Sequence, residues 1–383
     1  MIRRFYVHNF RCLENFELPV SGQSSTLLIG KNGSGKSVIG DALGVLQKIG
    51  RGTNRVGELV KPKDFFLGRT DTPMRFEIEV ELEGSVYEYV VAFDLPEGSD
   101  ELRVSREKLA VGGQPVYSRT EAEVMRRVDW LDLIEAPVGD MGKEFGNEAA
   151  FPIDWDLVTL PIIQERSRKD PLSIFKQWLT RLVIIRPTPS LISGDSAKET
   201  LQPNPEVTDF GGWFSGILAH FPAAYARIEQ YLKQVMPDLK DIKNPAVGKR
   251  ARSLEVQFSN GQGSVSLPFG ELSDGEKCFM ICALVLAAND TYGPLVCFWD
   301  EPDTYLSLDE AGHFVLALRK AFQDSGQFIM TSHNPEGIRQ FSDENTLVLY
   351  RKSHLEPTMA RRLSEVNVGG DLVGALIRGD VEP

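Results

Sequence analysis

Gly30-Lys31-Asn32-Gly33-Ser34-Gly35-Lys36-Ser37, GKNGSGKS, is the stretch on which the reading of this chain turns. Its spacing is G-x-x-x-x-G-K-S, a P-loop. The glycines give the backbone freedom to close successive N–H groups around an anion. The flanks fit. Thr26-Leu27-Leu28-Ile29 is a short apolar run leading in, and Val38, Ala42, Val45 and Leu46 follow at helical spacing. Strand, glycine loop and helix are the setting this motif needs, and the helix start adds partial positive charge. Gly30, Asn32, Gly33, Ser34, Gly35, Lys36 and Ser37 are therefore candidates for holding a nucleotide triphosphate. Lys36 is expected to reach the β- and γ-phosphates and Ser37 to ligate Mg2+. The bland alternative is a glycine-rich turn carrying a surface lysine.

The 383 residues, 42% hydrophobic and 25% charged, describe an ordinary globular composition. That length allows two or more domains, or one large α/β domain with an insertion. No apolar run approaches the roughly 20 residues of a membrane span. The opening MIRRFYVHNF lacks the apolar core of a signal peptide. The expectation is a cytoplasmic protein with no membrane partner. A net charge of −12 argues against a generally basic surface that coats DNA, though a local basic patch could still bind it. Cysteines are sparse, and no CxxC occurs among Cys12, Cys278, Cys282 and Cys297. Cys278 and Cys282, four apart, read as buried thiols rather than a metal pair.

Taken in order, residues 2–20 alternate apolar and polar positions twice, which predicts two strands joined near Asn9–Glu14. Arg11 lies in that turn, either as a plain surface charge or as a nucleotide contact. Lys48–Arg55 is a basic, glycine-rich loop. Residues 74–117 read as an antiparallel meander. Residues 118–207 are less regular, with prolines that keep helices short. Phe175–Ile185 reads as a helix running into a buried strand, and Leu191–Asp209 as a mobile loop. Gln164 and Gln177 are the candidates for a glutamine that senses Mg2+ and water, although neither carries a local signature. Residues 213–236 are helical by pattern, with a break at Pro222, and 254–268 form a hairpin around Asn260-Gly261. No heptad persists, which argues against a long coiled coil.

The second informative stretch is Leu272-Ser273-Asp274-Gly275-Glu276-Lys277. Ser273 and Glu276 make a capping box before an apolar helix. A serine hydroxyl, a glycine and a helix N-terminus also make an anion site. Leu295–Trp299 (LVCFW) then reads as a buried parallel strand ending in Asp300-Glu301. Carboxylates at such a strand end face the ligand crevice of an α/β sheet, and successive residues point oppositely. Asp300 is assigned to the Mg2+ shell, and Glu301 to orienting and deprotonating the attacking water. Gln327–Thr331 is a further buried strand, and Ser332-His333-Asn334-Pro335 ends it, with His333 as a γ-phosphate contact or else a structural histidine. Thr346–Tyr350 reads as an edge strand, followed by a glycine-containing tail.

Together these motifs resemble the ATP-binding-cassette heads of the SMC/RecF-like group. GKNGSGKS resembles Walker A, LSDGEK the signature motif with Ser273 and Gly275 at its key positions, and LVCFWDEPD Walker B with Glu301 at the hydrolytic position. Tyr305–Asp309 resembles the D-loop, and TSHNP the switch-histidine loop. The resemblance implies an α/β P-loop NTPase of ABC-ATPase-head type, with an antiparallel β subdomain, a helical insertion and no coiled-coil arm. The expected segments are 1–118 for the N-terminal lobe, 119–245 for the insertion and 246–383 for the C-terminal lobe.

The resemblance also implies ATP and Mg2+ as ligands, Arg11 and Asp309 among the nucleotide contacts, and catalysis by Glu301, His333 and Lys36. It implies an ATP-sandwiched homodimer, in which the Ser273 turn of one copy meets the P-loop of another. Lacking a coiled-coil arm, the chain looks more like the short OLD-like ATPases of bacterial anti-phage systems. A nuclease often follows the head in that group, whereas about fifty residues follow His333 here, fewer than a domain needs. The expected output is a separate effector such as a nuclease or toxin. The alternative is a RecF-like DNA-repair ATPase.

Overall fold

The structure, a computed structural model, describes residues 1–120, 122–127, 148–248 and 251–366. The end of the expected glycine-containing tail lies outside the described residues. They divide into two compact units. The first takes residues 1–22, the described part of 32–181, and 349–360. The second takes 23–31, 182–348 and the described part of 361–383. The GKNGSGKS stretch is shared, with Gly30 and Lys31 in the second unit and Asn32 onward in the first.

The first unit is built on an eight-stranded antiparallel sheet. Ile2–His8 and Phe16–Leu18 are the two strands that the double alternation of residues 2–20 predicts, and Ile2–His8 pairs on its other side with Met74–Leu82. From Met74–Leu82 the meander continues through Ser85–Asp94, Arg103–Val111 and Gln114–Thr120. Two further strands, Glu123–Arg127 and Glu148–Pro152, lengthen it past residue 118.

Helix Lys36–Gly50 buries Ile39, Ala42, Leu43, Leu46 and Ile49. Helix Pro171–Thr180 packs against it so closely that a Cβ at Gly50 would lie 2.4 Å from Leu179 Cβ. Inside this unit Glu107 is fully buried. It accepts from the Tyr89 and Tyr117 hydroxyls (2.9 and 2.7 Å) and from the Thr159 and Leu160 amides (2.7 and 2.9 Å). Burial and the adjacent Glu107 charge push both phenols well above their ordinary values.

The second unit carries the six-stranded sheet. Its order is 183–185, 296–299, 327–331, 25–29, 346–350, 359–362, and the pairings from 183–185 across to 346–350 are parallel. Thr346–Tyr350 is not the edge strand expected, because the chain returns and Met359–Arg362 pairs outside it. The central strands are buried along their length, which is why they read as continuous apolar runs. Helix Asp274–Thr291 is apolar almost all round and passes through the core. Ile228, Tyr231 and Leu232 of helix Ala224–Val235 belong to the same core.

The segment Leu191–Asp209, expected to be a mobile loop, is instead tied down. Asp195–Ser196 pairs with Ala251–Ser253. Helix Phe210–His220 presents Gly211 and Gly216 to the backbone of this segment, where added Cβ atoms would lie 2.3 Å from Gly194 O and 2.2 Å from Thr200 O. Cys278, Cys282 and Cys297 are buried core thiols, and burial pushes Cys278 up to about 12. Among the described residues no helix is long and apolar enough to cross a membrane.

Replacing Glu107 by leucine strands four buried donors without their acceptor. The expected cost is about 2–5 kcal/mol, read as a fall in the urea midpoint at unchanged slope.

Candidate functional site

In the parallel sheet of the second unit, Trp299 lies opposite Met330, and Met330 opposite Leu27. Three strands therefore end at one edge, the 327–331 strand one residue and the 25–29 strand two residues past the level of Trp299. The 25–29 strand delivers Gly30 there, the 296–299 strand delivers Asp300 and Glu301, and the 327–331 strand delivers Ser332 and His333. The carboxyl edge of such a sheet is where ligands bind.

Asp300 is 7% exposed. Thr331 Oγ1 donates to Asp300 Oδ1 at 2.6 Å and accepts from the Glu301 amide at 2.9 Å. One hydroxyl thus orients both acidic residues. Glu301 adopts φ 51°, a left-handed conformation costly for a residue with a Cβ. Its carboxylate is half-exposed and lies 3.6 Å from His333 Nε2. Arg186, at the end of the neighbouring 183–185 strand, places Nη1 4.0 Å from Asp300 Oδ2. Asp303 is 1% exposed; desolvation pushes it up to about 6, against the Ser332 hydroxyl that pulls it down.

In the same unit, Ser273 caps helix Asp274–Thr291. Its hydroxyl and amide both reach Glu276 Oε2 at 2.7 Å, and it accepts from the Glu276 amide at 3.3 Å. Ser273 is exposed. Gly275 lies against the stretch before Asp309, since a Cβ there would be 3.3 Å from Tyr305 O. Asp309 sits in the first turn of helix Leu308–Gln323, beside an open groove with Leu308, His313, Leu316 and Glu336.

In the first unit, Asn32 and Gly33 are exposed, and Lys36 and Ser37 begin helix Lys36–Gly50. Gly35 is the residue before the helix, at φ 99°. No side chain caps this helix, and no acidic residue lies in its first turn. The helices at Ser273 and Ser307, by contrast, both carry complete capping boxes. The glycine loop is braced from behind. Thr358 Oγ1 donates to Ser34 O at 2.9 Å, and the Thr358 amide donates to Cys12 O at 2.8 Å. Ser34 Oγ is buried and has no partner among the described residues. An orphaned hydroxyl, an uncapped helix start and positive-φ glycines at 33 and 35 fit a triphosphate, which offers anionic acceptors to such donors.

Arg11 sits in the turn between the first two strands at φ 51°. Its guanidinium is engaged by Asp64 (3.0 Å) and by Asp41 of the Lys36–Gly50 helix. Gln177 donates to Ser173 within its own helix, and Gln164 is exposed with its carbonyl taken by Arg126. The sequence reading missed Thr331, Asp303, Ser332, Arg186 and Thr358. Thr331 and Ser332 carried a usable signal, as paired hydroxyls at the end of a buried strand.

A profile of the family described as RecF/RecN/SMC N terminal domain matches residues 1–355. No curated protein matches the chain by sequence. Among solved structures, an SMC head bound to the C-winged helix domain of ScpA aligns over 95% of this chain and 98% of its own, at 15% identity and TM-score 0.54. An SMC head with an extended coiled coil, bound to the C-terminal domain of ScpA derived from Pyrococcus furiosus, aligns over 95% and 97%, at 13% identity and TM-score 0.51. The shared property is the α/β head fold; among the described residues no coiled-coil arm occurs.

Gly35→Ala tests the cradle. Its Cβ would meet Thr358 Oγ1 at 2.5 Å and Cys12 Sγ at 2.9 Å, at a φ disfavoured for alanine. Triphosphate affinity, read with a fluorescent nucleotide analogue, is expected to fall by about 10- to 100-fold.

Proposed function

Because the chain belongs to the RecF/RecN/SMC N-terminal domain family, we propose that it is a Mg2+-dependent ATPase that dimerises on ATP and acts as a switch for a separate effector protein. The observation that carries the enzymatic part is the strand-end cluster. Two acidic residues of different exposure meet one threonine hydroxyl, Asp300 through its carboxylate and Glu301 through its backbone amide, with an imidazole 3.6 Å from the Glu301 carboxylate.

The residues divide the work by environment. The amides of 33–37, with Lys36 and the Ser34 hydroxyl, bind the triphosphate. Ser37 and Asp300 are, by their motifs, the residues that would serve as Mg2+ ligands, and the ion would neutralise phosphate charge. Glu301, half-exposed, orients the attacking water and accepts its proton. His333 stabilises charge on the γ-phosphoryl oxygens. Arg11 acts through Asp41 on the helix that begins at Lys36.

Dimerisation is supported by the signature turn. Ser273 is exposed, so its turn can be reached by a group outside its own subunit. The partner role is supported by the matched SMC heads, which are each bound to a ScpA domain. The likeness of the motifs to OLD-like ATPases supports anti-phage defence as the setting, with a nuclease or toxin as effector. The family's RecF members support a second reading, an ATP-dependent DNA-binding repair protein.

Lys36→Ala is expected to abolish ATP binding. Glu301→Gln should bind ATP normally, hydrolyse it about 10^2- to 10^4-fold more slowly, and elute as a dimer with ATP on sizing chromatography. A Glu301→Gln protein that stays monomeric opposes the sandwich. The same variant, used as bait under ATP, separates the two roles: a captured protein favours the effector reading, and salt-sensitive DNA capture favours the repair reading.

A further inference from the structure

The loop carrying Glu301 and the loop carrying His333 are fastened at two points. Thr331 makes the first, through Asp300 and the Glu301 amide. The second lies deeper. Ser332 Oγ donates to Asp303 Oδ2 at 2.6 Å and accepts from the Asn334 amide at 2.9 Å. Ser332 and Asp303 are each 1% exposed. The backbone around them is shaped for this contact, because a Cβ at Gly337 would lie 2.2 Å from Asp303 Oδ2 and 3.3 Å from Ser332 Oγ.

A buried carboxylate is an expensive way to fill space. Burial raises Asp303, and one serine hydroxyl with a backbone amide offsets that only in part. Such a group is worth retaining where a charge-assisted bond must hold a geometry. The geometry held here is the turn 332–334. Ser332 spans the turn from its own hydroxyl to the Asn334 amide, so the residue between them, His333, is fixed at both neighbours.

We propose that Asp303 and Ser332 are positioning residues for hydrolysis, a buried latch that holds His333 at the Glu301 carboxylate. Its two side chains are buried, bonded to each other and to the Asn334 amide. It acts by keeping the imidazole within reach of its partner, where a displacement of about 1 Å costs on the order of 100-fold in rate. This inference rests on the reading of Glu301 and His333 as the hydrolytic pair.

The test compares Ser332→Ala, Asp303→Asn, their double variant and the conservative Ser332→Thr in the full chain. In the first two, kcat for ATP should fall about 10- to 100-fold, with KM changed by less than about twofold. The double variant should be no worse than the poorer single one, as for partners in one interaction. Ser332→Thr should recover most of the rate. Hydrogen exchange, measured without nucleotide, should quicken in the peptide spanning 331–338 and stay unchanged in the peptide spanning 30–40.

Unchanged kcat with unchanged exchange overturns the latch. So does a joint fall of kcat, ATP affinity and urea midpoint that Ser332→Thr fails to rescue, since that describes general packing. Failure of the hydrolytic reading looks different: His333→Ala and Glu301→Gln would keep full activity, while exchange at 331–338 would still report the latch.

Discussion

The register of the parallel sheet is the constraint on which the second unit's chemistry depends. Parallel strands paired without slippage end on the same side, and here the paired residues Trp299, Met330 and Leu27 bring three termini to within two residues of one another. Every residue of these strands is buried, and the charged side chains begin only after the strands end. Asp300, Glu301, Ser332 and His333 all occupy that narrow zone. A slip of one residue would invert each strand and carry the carboxylates into the core.

Within that zone, hydroxyls do the fine adjustment. Thr331 and Ser332 are neighbours on one strand end, and their side chains serve Asp300 and Asp303 respectively. A hydroxyl can donate and accept at once. Each therefore ties a carboxylate to a backbone amide, Glu301 in one case and Asn334 in the other. The left-handed backbone at Glu301 is a strain that this network can sustain.

Helix starts show a division of the same kind. At Ser273 and Ser307 the first-turn donors are met by complete capping boxes. At Gly35 no side chain takes that part. The first two helices carry their caps in their own sequence, and the third has no side-chain cap at its positive end. Around Gly35 the space is filled by Thr358 and Cys12, so the loop is held in its open shape by neighbours rather than by its own side chains.

Much of this was legible along the chain. GKNGSGKS, the capping box at Ser273 and the apolar runs before Asp300 and His333 are local patterns, and local patterns follow from backbone preference and side-chain periodicity. They specified strand, loop and helix types, and which residues stand at strand ends. What needed the tertiary structure was every relation between distant segments. Residues 346–350 read as an edge because nothing local announces that 359–362 pairs beyond them. Residues 191–209 read as mobile because the glycines that pin them belong to the next helix. Asp303, the last residue of LVCFWDEPD, had no role of its own in the sequence, since a carboxylate acquires its meaning from burial and from a serine 29 positions away. Sequence alone determined the elements and the chemistry of their ends; packing alone decided which ends face one another, because burial and hydrogen-bond geometry are properties of pairs.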